Sequence, residues 1–325
     1  MSADTSTRSS IPSKEPSGPI WDDISRAVTP DMAFRWYEDI RDRLPAAPSQ
    51  TGALQHIPDL GEIADHADVI VFDAYGVLNT GKIPIPGAAR RVSDLRAAGK
   101  SVFVLTNAAS YAATQAREVF RDLGFDFTLE EIVSSRMVCE RHLPHLPSGQ
   151  SWGVAAPADW AGDEVDVPTL QLLDDIEVYD RAGGILFLST LDWNSDRQAL
   201  LLDSLARNPR PVVVANPDLV APRETCLTRE PGFYAHDLQS RLGLKPQFHG
   251  KPFASVYHEV ERRSGAVDLR RIVMVGDTLH TDILGAQSHG WRSVLITNHG
   301  LFAGQRVQKY IDDSGLYPDW IAPNI

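Results

Sequence analysis

A small set of polar residues follows apolar runs in the sequence and carries groups that could do chemistry. The set holds one carboxylate, a neighbouring hydroxyl and amide, an ammonium between glycine and proline, and two carboxylates in the segment GDTLHTDI: Asp73, Thr106, Asn107, Lys251, Asp277 and Asp282. A carboxylate can attack, a hydroxyl and an ammonium can hold an anion, and two carboxylates can bind a hard cation. Phosphoryl transfer needs these parts, because it depends on positioning and charge neutralisation. Mg²⁺ prefers oxygen ligands and keeps several waters, so one or two carboxylates and a phosphate oxygen suffice to bind it.

Short apolar runs predict the strands that position these residues. They cover residues 69–72, 101–105, 131–134, 271–275 and 293–296. Amphipathic segments between them predict helices, and nearly uninterrupted apolar strands joined by helices predict a parallel sheet covered on both faces. Ligands bind outside the carboxyl ends of such strands, so we expect the polar set to converge there.

The same pattern divides the body of the chain into two domains. Residues 65–145 and 241–325 are predicted to form one α/β domain around this sheet. Residues 146–240 contain strands and helices of their own, such as SWGVAAP and GGILFLST. We therefore predict that this block is a second domain inserted into the first.

The N-terminal extension covers residues 1–64 and shows no chemical motif. Residues 1–19 are rich in Ser, Thr and Pro and are expected to be disordered. Thr29 before Pro30 has the pattern of an N-cap followed by a first helical residue, which predicts a helix here. We expect the extension to pack against the main body.

Composition narrows the partners and the location. The formal net charge of -12 argues against a nucleic-acid or anionic-membrane partner, because phosphate contacts require clustered Lys and Arg. Cys139 and Cys226 cannot build a disulfide scaffold. The first twenty residues contain no apolar signal region, and no window reaches the ~18 apolar residues that a membrane span needs. The sequence predicts a soluble, cytoplasmic protein.

Four segments, taken in order, resemble the motifs of the haloacid dehalogenase (HAD) superfamily: FDAYGVL, LTN, GKP and VGDTLHTDI. The insertion between LTN and GKP resembles the α/β cap of the class IIA branch, which holds nucleotide, pyridoxal-phosphate and phosphoglycolate phosphatases. The match covers about residues 65–300. It implies an α/β fold with a Rossmann-like core, a doubly wound parallel sheet and an inserted C2-type α/β cap.

The resemblance also implies roles for the polar set. Asp73 would attack phosphorus to give an aspartyl-phosphate, while Thr106 and the backbone at Asn107 would hold the phosphoryl oxygens. Lys251 would neutralise charge. Mg²⁺ would be held by carboxylates and one backbone carbonyl, with the last carboxylate close by or acting through water: Asp73, Tyr75 (carbonyl), Asp277 and Asp282. The cofactor prediction is Mg²⁺.

Tyr75 departs from the family pattern. In the family's phosphatases this position is usually Asp, which protonates the leaving oxygen and then deprotonates the attacking water. The tyrosine hydroxyl, with an ordinary pKa of about 10, is a poor base near neutrality. The favoured interpretation is a Mg²⁺-dependent phosphatase that is slow or restricted to good leaving groups. The alternatives are a dehalogenase-like hydrolase that uses Asp73 without a general acid, and a pseudoenzyme that binds a phosphorylated ligand or a protein.

The inserted domain supplies the last candidates. Asn216 and Asp218 lie in the turn segment ANPD. The resemblance implies that this segment of the cap faces the active site and contacts the substrate. Three histidines flank the motifs, and we interpret them as hydrogen-bonded neighbours: His249, His280 and His299. The expected substrate is a small phosphorylated metabolite, and caps of this type in relatives favour a homodimer.

Overall fold

The structure is a computed structural model that describes residues 27–47, 54–162, 164–223, 225–266 and 268–325. The predicted disorder of residues 1–19 lies outside the described residues. Its strands, in chain order, are β1 (Gln55–His56), β2 (Val69–Phe72), β3 (Asn79–Thr80), β4 (Ile83–Pro84), β5 (Ser101–Thr106), β6 (Ile132–Ser134), β7 (Trp152–Ala155), β8 (Thr169–Gln171), β9 (Gly184–Phe187), β10 (Val212–Val214), β11 (Val220–Pro222), β12 (Leu227–Arg229), β13 (Gln247–Phe248), β14 (Ile272–Gly276), β15 (Arg292–Ile296) and β16 (Trp320–Ala322).

The helices connect these strands and cover the sheets. The α-helices are α1 (Pro30–Asp39), α2 (Ala88–Ala97), α3 (Ala113–Asp122), α4 (Ser135–Arg141), α5 (Ile176–Arg181), α6 (Ser195–Arg207), α7 (Pro231–Leu242), α8 (Ala254–Ser264), α9 (Leu284–Ser288) and α10 (Val307–Ser314). Short 3₁₀ segments cover Arg41–Arg43, Leu60–His66 and Leu269–Arg271, and a π-helical turn covers Leu279–Ile283.

The main sheet is parallel and doubly wound, as predicted. In the described part of the chain its strand order is β1-β16-β15-β14-β2-β5-β6, with parallel pairing throughout. The chain runs outward from β2 through β5 to β6, and later returns to the other side of β2 at β14. The strand order therefore reverses between β2 and β14, which is where ligands bind in open α/β sheets.

Both faces of the main sheet are buried, which explains its uninterrupted apolar runs. Successive side chains of a strand point to opposite faces. In β2, Ile70 and Phe72 pack into one hydrophobic cluster with α2 and α3, whereas Val69 and Val71 pack into another with α8. A strand with helices on both sides has no polar face, so it cannot alternate apolar and polar residues.

The inserted block forms a second parallel sheet, with the strand order β13-β10-β9-β7-β8. A small antiparallel hairpin, β11-β12, projects from it. The sheet takes in β13, where Phe248 pairs with Val214. The boundary predicted at residue 240 is therefore too early for this sheet, because the chain leaves it only after residue 248.

The N-terminal extension joins the body at two places. Its strand β1 adds to the edge of the main sheet beside β16. Its helix α1 begins as predicted, with the Thr29 side chain accepting a hydrogen bond from the Met32 N–H and Pro30 at the first position. The buried face of α1 packs between the two domains and belongs to one hydrophobic cluster with residues of both. None of the helices in the described ranges is long and apolar enough to cross a membrane.

Candidate active site

Three polar residues lie at the ends of neighbouring strands in the middle of the main sheet. Asp73 follows β2, Thr106 ends β5, and Asp277 follows β14. Because β14, β2 and β5 are adjacent and parallel, their carboxyl ends meet at one edge. The fold thus brings these side chains together at the point where the strand order reverses.

Lys251 joins two of the predicted acids by direct ion pairs. Its Nζ lies 2.5 Å from Oδ1 of Asp73 and 2.7 Å from Oδ1 of Asp282. The lysine is 1% exposed, and burial alone would lower its pKa. The surrounding carboxylates outweigh burial and raise the pKa of Lys251, so its ammonium stays charged.

A third carboxylate, Asp277, lies close to the two acids that pair with Lys251. Asp73, Asp277 and Asp282 each offer an oxygen, and the three oxygens lie within 4.8 Å of one another. Burial raises the pKa of Asp73 to about 7, although Lys251 opposes the rise. Burial and the two neighbouring acids also raise the pKa of Asp277 well above its usual value. Such crowding of buried negative charge calls for a cation.

The residues present fit a hard divalent ion. All three side chains offer oxygen atoms as ligands, and Mg²⁺ prefers oxygen over nitrogen or sulfur. One ammonium leaves negative charge in excess, which a divalent ion would neutralise. When bound, such an ion withdraws charge from phosphoryl oxygens. The further ligand predicted from sequence, the carbonyl of Tyr75, stays a prediction.

Two glycines allow Asp277 to sit close to the backbone. A Cβ on Gly300 would lie 1.8 Å from its Oδ2, and one on Gly76 would lie 2.7 Å from it. Both glycines have positive φ, of 77° and 81°, which L side chains rarely adopt. The N–H of Leu301 donates to the same Oδ2 at 2.7 Å. The loop after β15 therefore fixes this carboxylate.

Asp282 sits within the π-helical turn that follows Asp277. The turn begins two residues after Asp277, at Leu279. The Oδ2 of Asp282 accepts a hydrogen bond of 3.1 Å from the Thr278 N–H. Single π-turns are frequent at functional sites, because they redirect a side chain that a regular helix would place elsewhere.

Asn107 connects three parts of the site through its side chain. Its Oδ1 accepts from the Lys251 N–H at 2.7 Å, and its Nδ2 donates to the Lys251 carbonyl at 2.9 Å. The same Nδ2 donates to Asp218 Oδ1 at 2.8 Å. The sequence interpretation gave a role to the Asn107 backbone, but the side chain also fixes the lysine segment. Thr106 is buried beside it, and its hydroxyl accepts from the Ala108 N–H at 3.1 Å.

The two predicted cap residues have different surroundings. Asp218 reaches the core through Asn107, and burial raises its pKa to about 8, although Lys251 lowers it. Asn216 is buried, and its side chain is held by the cap itself. It donates to Glu230 at 3.2 Å and accepts from the Asp218 N–H at 3.0 Å. Asp218 therefore contacts the core motif that contains Asn107, while Asn216 shapes the turn that carries Asp218.

Tyr75 contacts the cap through Arg223, a residue that sequence reasoning missed. The Arg223 guanidinium carbon lies 5.6 Å from the centroid of the Tyr75 ring. Burial raises the pKa of the Tyr75 hydroxyl, and Arg223 offsets part of that rise. Arg223 in turn pairs with Glu230 at 2.9 Å. No motif marks Arg223 in the sequence, so only the fold connects it to position 75.

The flanking histidines have structural surroundings. His249 lies 3.0 Å from both Ser255 Oγ and Gln247 Nε2, and burial lowers its pKa to about 4. His280 is fully buried, with its Nε2 2.5 Å from Glu38 Oε1. The interpretation of these two residues as hydrogen-bonded neighbours is confirmed. His299 is partly buried beside Gly300.

Helix α1 also touches the site from outside the motifs. The ring of Tyr37 stacks on His280 at 5.0 Å, and its hydroxyl accepts from the Leu219 N–H at 3.0 Å. Leu219 follows Asp218 in the cap, whereas His280 lies between the two acids of the core. Tyr37 thus links the cap to the acidic segment, a contact between residues 182 positions apart that no local pattern reveals.

Comparison with known proteins agrees with this geometry. The haloacid dehalogenase-like hydrolase family matches residues 70–160, and a HAD-hydrolase-like family matches residues 248–325. Together these matches cover the two halves of the core and leave most of the cap between them. The chain belongs to the HAD superfamily of hydrolases, and its inserted α/β cap agrees with the class IIA branch.

Two curated relatives are similar over most of this chain. The D-glycerol 3-phosphate phosphatase of Mycobacterium tuberculosis is 29% identical over 240 residues, which are 72% of this chain and 64% of that protein. Human chronophin is 26% identical over 262 residues, covering 78% of this chain and 88% of its own. The chain therefore spans less than two thirds of the mycobacterial relative.

Solved structures show the same fold. One from Cytophaga hutchinsonii, described as a possible sugar phosphatase of the HAD superfamily, has a TM-score of 0.71 and 26% identity, covering 84% of this chain and 98% of its own. A glycerol phosphate phosphatase from Mycobacterium tuberculosis, solved with magnesium, has a TM-score of 0.58 and 25% identity, covering 73% of this chain and 69% of its own. The predicted family and fold class are confirmed, and the relatives' activities support the prediction of a phosphoric monoester hydrolase.

Proposed function

We propose that the protein is a Mg²⁺-dependent phosphatase that hydrolyses a small phosphorylated metabolite through an aspartyl-phosphate at Asp73. The observation that carries the proposal is the buried contact of Lys251 with Asp73 and Asp282, beside Asp277. An attacking carboxylate, a fixed ammonium and a set of cation ligands are the parts that phosphoryl transfer requires.

The proposed reaction has two displacements at phosphorus. A carboxylate oxygen of Asp73 bonds to phosphorus while the bond from phosphorus to the ester oxygen breaks, and the leaving oxygen departs with the electron pair. Water then attacks the same phosphorus while the bond from phosphorus to the Asp73 oxygen breaks, which restores the carboxylate. The protons of the water leave with the released phosphate or pass to solvent. Lys251 and the hydroxyl of Thr106 hold phosphoryl oxygens during both steps, and the lysine balances their charge.

Tyr75 limits the first displacement. Its hydroxyl has a raised pKa and lies beside Arg223, so it is a much weaker proton donor to the leaving oxygen than a carboxyl group. A leaving oxygen of low pKa departs without protonation, whereas an alkoxide needs a proton. We therefore infer faster turnover of activated esters than of simple alkyl esters.

The cap supports a small substrate. Asp218 and Arg223 both reach from the cap to residues of the core motifs, Asp218 to Asn107 and Arg223 to the ring of Tyr75. The relatives named as glycerol phosphate and sugar phosphatases support a small phosphorylated metabolite. A cytoplasmic location, a homodimer and the absence of nucleic-acid and membrane partners stay predictions.

The dehalogenase alternative is less well supported. The 2-haloacid dehalogenases carry a helical cap soon after the first motif. In this protein, hairpin β3-β4 and helix α2 connect β2 to β5, and all residues of this connection are described. The cluster of three acids also favours a cation, which that chemistry does not use.

Hydrolysis of 4-nitrophenyl phosphate by the full chain tests the proposal. We expect turnover with Mg²⁺, none with EDTA, and a loss of at least ~10³-fold in Asp73→Asn, which keeps the shape but cannot attack. Acid quenching followed by mass spectrometry should find phosphate on Asp73. Turnover that survives in Asp73→Asn contradicts the mechanism. Turnover of a 2-haloacid in EDTA would favour the dehalogenase, and tight ligand binding without any turnover would favour the pseudoenzyme.

A further inference from the structure

A second group of metal-ligating side chains lies on the outer surface of the core. His258 and Glu261 are three residues apart on α8, and His289 directly follows α9. Each offers one ligand atom, and the three atoms lie within 4.8 Å of one another. None of these residues belongs to the site around Asp73. The (i, i+3) spacing places His258 and Glu261 on one face of α8, and this face lies towards the end of α9.

The distance between two of these atoms fits a shared metal ion. The Nδ1 of His289 lies 3.3 Å from Oε1 of Glu261, which is long for a charged hydrogen bond. Two ligands at the ~2.0–2.1 Å typical of zinc, in a tetrahedral arrangement, lie about 3.3–3.4 Å apart. His258 is exposed and can turn its ring to complete the set.

Other residues hold these ligands in place. The indole N–H of Trp291 donates to Glu261 Oε1 at 3.0 Å, and the ring of His289 stacks on Tyr257 at 4.7 Å. His258 meets His289 edge to face, at 5.0 Å between ring centroids. Hydrogen bonds and packing of this kind orient the ligands of metal sites.

We propose that His258, Glu261 and His289 form a second metal site, which binds Zn²⁺ or a similar transition-metal ion. Two imidazoles and one carboxylate are a ligand set for zinc and its neighbours, whereas Mg²⁺ favours oxygen alone. Three protein ligands leave the fourth position to water, on the solvent side next to exposed His258. The two sites of the protein therefore select different metals.

Titration with Co²⁺, whose visible absorption reports tetrahedral coordination, tests the proposal. The full chain is stripped of metal, saturated with Mg²⁺ and titrated with Co²⁺, and then with Zn²⁺. We expect one equivalent of Co²⁺ with the absorption of a tetrahedral site, displaced by Zn²⁺. His258→Ala, at an exposed position where folding is not at risk, should weaken binding at least ~10-fold, since it removes one of three ligands. Trp291→Phe should weaken it about 10–100-fold, as loss of an outer hydrogen bond does in other sites.

Two control variants separate this site from other sources of the signal. His145→Ala removes an exposed histidine outside the cluster and should leave the absorption and the affinity unchanged. Asp277→Asn removes an acid of the active site and should also keep the absorption. A signal that is lost in Asp277→Asn but kept in His258→Ala would overturn the proposal, as would the absence of a tetrahedral spectrum in the unaltered protein.

Discussion

Replacing Tyr75 by aspartate restores a carboxyl group at the position where the family's phosphatases usually carry their proton donor. The native ring lies beneath Arg223 of the β11-β12 hairpin. The substitution therefore changes two things at once: it adds an acid and it removes the ring from beneath a guanidinium. Both changes enter the expected rate.

The magnitude follows from that geometry. General acid–base help is typically worth about 10²–10⁴-fold in rate, or roughly 3–5 kcal/mol of barrier. The centroid of the native ring lies 5.6 Å from the guanidinium carbon. A carboxylate at about that distance would gain up to about 3 kcal/mol at an effective dielectric of ~20, which holds its pKa well below its usual value. A carboxyl group held ionised donates no proton. We therefore expect Tyr75→Asp to gain only about 10-fold on alkyl esters, and Tyr75→Asp with Arg223→Gln to gain about 10²-fold or more.

The assay compares an alkyl phosphate with 4-nitrophenyl phosphate, each with Mg²⁺ and with EDTA. The gain should appear in the Mg²⁺-dependent rate on the alkyl ester and be small on the aryl ester, whose leaving group needs no proton. Tyr75→Asn is the matched control, because it has the shape of aspartate without its acid.

Equal gains in Tyr75→Asn and Tyr75→Asp would refute this reasoning, since relief of crowding rather than proton transfer would then explain them. The same holds if removing Arg223 adds nothing to the aspartate variant. If neither variant gains on alkyl esters, Tyr75 does not stand in the path of the leaving oxygen.

Three further predictions concern the rest of the site. Gly300→Ala forces a methyl group against Asp277 and strains a residue of positive φ, so Mg²⁺ titrations should show weaker activation and unfolding should cost about 1–3 kcal/mol less. In EDTA, stability should fall between about pH 6.5 and 8.5, by roughly 2 kcal/mol for Asp218, because its raised folded-state pKa of about 8 lets the folded protein hold a proton that the unfolded chain has already lost. Denaturant curves at both pH values check this, and Asp218→Asn should flatten the difference. Tyr37→Phe leaves the buried N–H of Leu219 without its acceptor, and the same curves should show a loss of about 1–3 kcal/mol.

Groups whose titration would make stability rise with pH titrate outside this pH window. Burial lowers the pKa of His249 to about 4 and of His236 to about 3, so these rings destabilise the folded state only below their unfolded pKa of about 6.5. Above that pH they are neutral in both states. Carboxyl groups with raised pKa values then determine how stability depends on pH, so stability falls as the pH rises.

Local patterns in the sequence were enough to predict the core. Strands buried on both faces appear as apolar runs, and the polar residues that end them stand at the active edge, as Asp73 and Asp277 do. The segment GKP also assigns Lys251 to this set, and Lys251 pairs with Asp73. These features are local, so the sequence displays them directly.

The remaining features depend on contacts between distant parts of the chain. Arg223 lies 148 positions after Tyr75, and its charge is used by Glu230 as well, so no pattern assigns it to either. The second sheet's last strand is only two residues long, Gln247–Phe248, which is too short to show any alternation. The helix containing Tyr37 has an ordinary amphipathic pattern, which indicates a buried face but not what covers it.

Helix α1 gives the cap a property that follows from the position of the helix between the two domains. Its apolar face includes Phe34 and Trp36, which pack against Tyr310 of the core and Phe233 of the cap, respectively. Swinging the cap away from the core would expose part of this face, and each large aromatic side chain buries about 150–250 Å². We therefore expect a trade-off between thermal stability and the rate of product release. Substitutions that weaken the packing of α1 should lower the melting temperature and speed the opening of the site. Substitutions that strengthen this packing should do the reverse.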